Sequence, residues 1–267
     1  MAPIYDQLLP HLPMFAAVMS RLVGLFLTTP ILTSPVLPVQ VKALLVVSLA
    51  AVLYPTIDHS GYAETPMTLW TIAPLIAGEL LIGIVIGLLV LIPTSCIQLA
   101  GLIIGQQLGL ALAEQFNPAL DISGNNFGQL LFTVTMASFI FVGGIEFLFV
   151  ALAFSFESLP LGGLDPSRAP LDLLVGVVSS GFVLAVRVAL PVLAVIGLET
   201  IAMGFIMKTV PTLNIMNVGF PLRILVGIAT FTASLGAMKH AIMVELHDVM
   251  LLIESWVLSL GEGAAHG

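Results

Sequence analysis

Five ionisable side chains stand inside otherwise apolar stretches of this 267-residue chain: Arg21, Glu79, Glu146, Arg187 and Glu199. In hydrocarbon such a charge costs about 2.5–3.5 kcal/mol on insertion scales, so each needs a partner or water. The chemistry such a set could perform is proton or ion conduction. A dedicated path gathers its acids and breaks its helices near the membrane midplane, whereas these five are scattered along the chain. The preferred reading is therefore pairing: with one another, with backbone carbonyls or with neighbouring subunits. Other chemistry has less to stand on. His240, Glu245 and His247 lack the two histidines four residues apart, flanking a glutamate, that a zinc peptidase helix needs. They read as polar positions on an amphipathic helix. Ser179-Ser180-Gly181 is not a Gly-x-Ser-x-Gly nucleophile turn, and no phosphate-cradling glycine loop with a lysine is present. The lone Cys96 excludes an intramolecular disulfide and a cysteine metal cluster. The chain is expected to be non-enzymatic and to use no cofactor or metal.

The elements that hold these residues are membrane helices. Hydrophobic residues make up 59% of the chain and charged residues 8%, with a mean hydropathy of +1.15, far from the composition of a soluble domain. The length allows about six or seven spans of roughly 20 residues and leaves too little for a separate soluble domain. An all-α integral membrane protein with a single polytopic domain over residues 1–267 is expected. A net charge of −8 and seven scattered Lys and Arg residues argue against nucleic acid. The opening Met-Ala-Pro-Ile-Tyr-Asp6 has no basic region, so the first apolar segment is expected to remain in the mature chain.

The first apolar run covers about Leu12 to Leu27 and stops at Pro30, Pro35 and Pro38, which mark a stiff connection rather than helix. A second, short run from Ala43 to Ile57 ends at the acidic stretch Asp58 to Glu64. Leu69 to Ala113 is apolar almost throughout, long enough for two spans or for one helix followed by a tilted or re-entrant one. Phe127 to Phe154 reads as one span, Leu171 to Ile206 as a kinked helix projecting beyond the bilayer, and Val218 to Ala241 as the last span. An amphipathic closing helix is expected over about 241–260. By the positive-inside rule, the loops near Lys42 and Lys208 face the cytoplasm and the N-terminus lies outside.

The most unusual stretch runs from Gly101 to Asn126. Gly101, Gly105 and Gly109 fall four residues apart on one side of a helix, as Gly83 and Gly87 do earlier, where small residues let another backbone approach closely. From Glu114 onward two carboxylates, three asparagines, a proline and a glycine end the helix. Such a loop is tolerated at membrane depth only inside protein or a water-filled cavity.

Several blocks carry a resemblance: Arg21-Leu-Val-Gly24 with Pro30, Pro38 and Lys42; Gly105-Gln-Gln-Leu-Gly109 leading to Asn117-Pro118; and Ser155-Phe-Glu-Ser-Leu-Pro160-Leu-Gly162. The most specific is Leu213-Asn214-Ile-Met-Asn-Val218-Gly219-Phe220-Pro221-Leu222-Arg223. In this order and over nearly the whole chain they resemble the FliR/SctT family of export-gate proteins, and the Gly-Phe-Pro-Leu core looks more like the flagellar branch than the injectisome one.

The resemblance implies a subunit that joins FliP and FliQ in a pore-like gate of the flagellar basal body in the bacterial inner membrane. FlhB is associated with that gate, and unfolded flagellar subunits pass through it. It further implies that about residues 106–126 form a plug loop, with Phe116 sealing the lumen beside Glu114, Gln115 and Asn117. Glu114 departs from a purely apolar seal. For the block around Gly219, Phe220, Pro221 and Arg223, with Lys208, two readings stand level: a helix beginning after a loop, or a face toward a partner such as FlhB. The alternatives to a flagellar gate subunit are an injectisome homologue or a small-solute secondary transporter. The latter is expected to show two similar halves, and no convincing repeat is visible.

Overall fold

Helix is the regular structure throughout the described residues, as expected where backbone groups have no water to bond and must satisfy one another within a segment. The computed structural model describes residues 11–35, 37–57, 69–110, 125–163, 170–209 and 215–264. In chain order the helices are α1 (His11–Thr28), α2 (Pro30–Thr33), α3 (Val39–Leu53, extended by a 3₁₀ turn over Tyr54–Thr56), α4 (Leu69–Gln107), α5 (Asn126–Phe141), α6 (Gly144–Ser158), α7 (Leu171–Thr209) and α8 (Ile215–Ala264). Five of them are long and apolar enough to cross a membrane, or six spans if α5 and α6 count together as one. The chain is thus an all-α, multi-pass membrane protein.

Three expectations about the elements need correction. The proline-rich connection contains a helical turn, α2, because Pro30 occupies its first turn, where its missing N–H is not needed. Pro38 then precedes α3 at the N-cap. The Phe127 to Phe154 run is not one continuous helix: it breaks between α5 and α6 with a bend of 63°. Gly143 makes the break, with φ 82° and ψ 21°, a left-handed conformation that residues with a Cβ rarely adopt. Finally, the last span and the closing helix are one 50-residue helix, α8. Pro221 lies inside it rather than at its start, so the helix forgoes one backbone bond there.

The two readings of Leu69 to Ala113 resolve into one helix, α4, of 39 residues. That is about 58 Å at 1.5 Å per residue, nearly twice a hydrocarbon core of ~30 Å. Helix α7 has the same length, with Pro191 inside it.

The chain divides into two compact units whose boundaries fall within these helices. The first comprises Met1–Leu91, Ile140–Leu174 and Asp248–Gly267. Its buried side chains include Val18, Leu22 and Leu25 of α1, Ile82, Ile86 and Leu89 of α4, and Leu148 and Leu152 of α6. Val249, Ile253, Trp256 and Val257 of α8 are buried too, at helical spacing, while Glu254 between them is exposed. The second unit comprises Ile92–Phe139 and Val175–His247. It buries Ile97, Ala100 and Ile104 of α4, Leu131 and Phe139 of α5, Leu184, Val188 and Val192 of α7, and Ile242 and Leu246 of α8.

Candidate functional site

The glycine stripe and the two described flanks of the segment that follows it lie in the second unit. Gly101 and Gly128 bring α4 and α5 into backbone contact: a Cβ on Gly101 would lie 2.6 Å from the Cα of Gly128, and one on Gly128 would lie 2.8 Å from the Gln98 carbonyl oxygen. Gly105 is buried in the same helix. Gly109 does not continue the stripe, contrary to expectation. Helix α4 ends at Gln107, and Gly109 adopts φ +80° while its N–H donates to the Gln106 carbonyl at 2.9 Å. A glycine in this conformation just past the last turn is a common way to terminate a helix. Here it also leaves room for a ring, since a Cβ would lie 2.7 Å from Cε2 of Phe220.

Both flanks of the segment between α4 and α5 are held by α8. On the leading side Phe220 covers Gly109, and Gly227 lies against the side chain of Leu108. On the trailing side the Phe127 ring meets Phe231 edge to face, with centroids 4.8 Å apart. The Gln129 N–H caps onto the Asn125 carbonyl at 2.9 Å. Glu114, Gln115, Phe116 and Asn117 lie outside the described residues. The structure therefore describes the two stems of the expected plug and not its tip.

Of the residues expected to face a partner, Gly219 is buried, Phe220 packs on Gly109, and Arg223 turns toward α7. Its Nε donates to Glu199 at 3.2 Å and its Nη2 to Thr200 at 2.5 Å. Lys208 and Pro221 are exposed.

The first unit contains the second constellation. Arg21 and Glu79 are both wholly buried and pair at 2.6 Å. Arg21 Nη1 donates to Ser155 Oγ at 2.9 Å and Nη2 to the Leu159 carbonyl at 3.3 Å, while the guanidinium carbon lies 4.0 Å from the Phe156 ring centroid. Glu79 accepts a second bond, from the N–H of Gly162, at 2.8 Å. The pair thus joins α1, α4 and the turn after α6. Close helix packing delivers it. Gly24 lies against the Leu80 carbonyl, Gly83 against the Arg21 carbonyl, and Gly87 against Thr28. The pairing reading of the buried charges therefore holds for Arg21, Glu79 and Glu199, with Arg223 added to the set. Glu146 and Arg187 are exposed, and neither has an ion-pair partner among the described residues.

Sequence reasoning missed Ser155, the Leu159 carbonyl and Gly162 as ligands of the pair, although they lie in the Ser155–Gly162 block. It also missed Gly128 and Gly227 as packing sites. Glu245 accepts from Ser180 at 2.8 Å, a structural contact between α8 and α7. His240 and His247 are exposed, and no group of metal-ligating side chains occurs among the described residues.

Residues 12–249 match the family of bacterial export proteins, family 1. Among similar proteins, the Yop proteins translocation protein T of Yersinia pestis is 29% identical over 82% of this chain and 85% of its own length. The flagellar biosynthetic protein FliR of Escherichia coli is 26% identical over 85% of this chain and 86% of its own, and that of Bacillus subtilis 25% over 83% and 85%.

Proposed function

Because the chain belongs to the bacterial export proteins, family 1, we propose that it is a non-enzymatic subunit of a type III protein-export gate. In this reading it assembles with FliP and FliQ in the inner membrane of the flagellar basal body, and unfolded flagellar subunits pass through the shared channel. The segment over about 106–126 closes that channel, and Phe116 is its seal. The observation that carries the reading is the family match along residues 12–249. The packing of α8 on both flanks of the segment supports it, because a closure needs fixed stems.

Deleting Gln115 to Ser123 tests the closure. The deletion leaves the stems untouched, so assembly is expected to survive while the membrane becomes permeable to ions or small solutes. Unchanged permeability would remove the plug. Purification in mild detergent tests the assembly: a large complex with FliP and FliQ is expected, and a lone chain that transports a small solute overturns the reading.

FlhB is proposed to contact the cytoplasmic end of α7. Lys208 is the cation to change, since Arg223 already holds Glu199. Lys208→Glu is expected to lower recovery of FlhB, and full recovery rejects the contact. An injectisome role is the second reading, favoured by the 29% identity to the Yersinia protein. Restored motility in a strain lacking FliR separates the flagellar role from it.

A further inference from the structure

The outward face of α7 carries features that nothing among the described residues explains. Around this helix at 100° per residue, the exposed positions Val183, Val186, Arg187, Leu190, Ala194 and Leu198 fall within one third of the circumference, opposite the buried Leu184, Val188 and Val192. Ile201, Phe205 and Lys208 continue the same face and are also exposed. The apolar members are large and open: Val186 is 60% and Leu190 57% accessible. Against lipid such a surface would be ordinary, except for Arg187.

Arg187 stands on this face without an ion-pair partner among the described residues. A span of about 20 residues avoids Arg187 only by lying wholly within 188–209, where it takes in Glu199 instead. Glu199 is served by Arg223 at 3.2 Å; Arg187 has no such relief. A second observation points the same way. Gly197 and Gly204, a heptad apart on this face, have nothing within 4 Å of a built Cβ, whereas Gly83, Gly101 and Gly181 are each filled by a neighbouring helix. Glycine inside a helix is unfavourable relative to alanine, and small residues at a membrane helix surface admit another backbone.

We infer that this face seats a membrane helix of another polypeptide, which crosses closely at Gly197 and Gly204 and presents an aspartate or glutamate to Arg187. The occupant follows from charge. Between Val183 and Lys208 the ionisable groups on the face, Arg187 and Lys208, are both cationic, and the exposed Asp172 on the same side of α7 lies about four turns before Arg187, so a second copy docked about a twofold axis within that stretch brings no carboxylate to Arg187. An apolar helix with one carboxylate satisfies both the surface and the charge. The inference rests on the export-gate reading for its context and deepens it by giving the chemistry of one subunit contact.

The test places a photoreactive residue at Leu190, and separately at Ala194, in the full chain in cells. Irradiation is expected to join the chain to another membrane polypeptide within a segment that carries a carboxylate. Arg187→Glu should cut that product at least about tenfold, Arg187→Lys should keep it, and a lysine in place of the partner's carboxylate should restore it to the Arg187→Glu chain. If Arg187→Glu fails to accumulate, Arg187→Gln decides, with loss in Gln and retention in Lys as the expected pattern. Products indifferent to the charge, products with a second copy, or products with lipid alone overturn the inference. A complex that holds FliP and FliQ while the crosslink ignores Arg187 leaves the export reading standing and removes this contact. A charge-dependent crosslink to a protein outside the export gate does the reverse.

Discussion

Arg21 shows how much of this protein depends on single side chains being answered. Its guanidinium bonds Glu79, Ser155 and the Leu159 carbonyl and lies on Phe156, so removing it leaves a wholly buried carboxylate. Breaking a buried pair from one side typically costs about 3–5 kcal/mol, whereas replacing both members with apolar groups is often close to neutral. Arg21→Ala is therefore expected to lower thermal stability in detergent sharply, and Arg21→Met with Glu79→Leu to recover most of it. A double variant as unstable as the single one would show that the pair is needed for more than mutual neutralisation. The pairing of Arg21 was legible only as a requirement. An arginine in an apolar run must have a partner, but Glu79 lies 58 residues away and Ser155 134, and one sequence carries no signal that links them. Arg223 was as hard to assign. Weighed with Lys208 for a partner-facing role against a plain helix start, it donates to Glu199, one helix earlier in the chain.

Elements were easier to read than their ends. Hydropathy located an apolar stretch in each long helix among the described residues, because a span of about 20 apolar residues has few alternatives. It could not locate the break between α5 and α6, because Val142-Gly143-Gly144 is as apolar as its surroundings and the information lies in φ. It also could not see that α8 runs unbroken past the end of its apolar part. Glycine was the clearest sign and the most ambiguous, since it serves two purposes here. Gly83 is needed for space, with the Arg21 carbonyl where its Cβ would be; Gly143 is needed for conformation, with nothing within 4 Å. Substitution separates them. Gly83→Ala overpacks α1 against α4, at about 1–3 kcal/mol, and Gly83→Asn should be worse. Gly143→Ala incurs a left-handed backbone cost of about 1–2 kcal/mol, which Asn partly escapes because it tolerates that region. Melting curves should rank Gly143→Asn above Gly143→Ala and reverse that order at position 83; the same order at both sites would mean that one mechanism governs both.

For the molecule as a whole, the bend at Gly143 poses an arithmetic question. Helices α5 and α6 have 16 and 15 residues, about 23 Å each, and neither alone reaches across a core of ~30 Å. The pair therefore either completes one crossing together or turns back, and the choice changes the crossing number between even and odd. Lys42 follows the first span, and Lys208 ends α7. They share a side only if the pair crosses, which is what the positive-inside rule favours. Six crossings then return Ala264 to the side of His11. Reporters fused beside His11 and Ala264 should give matching signals, and opposite signals would mean that the chain doubles back at one glycine. Whether the chain crosses at that bend is in effect a parity bit, fixing which compartment every later loop inhabits.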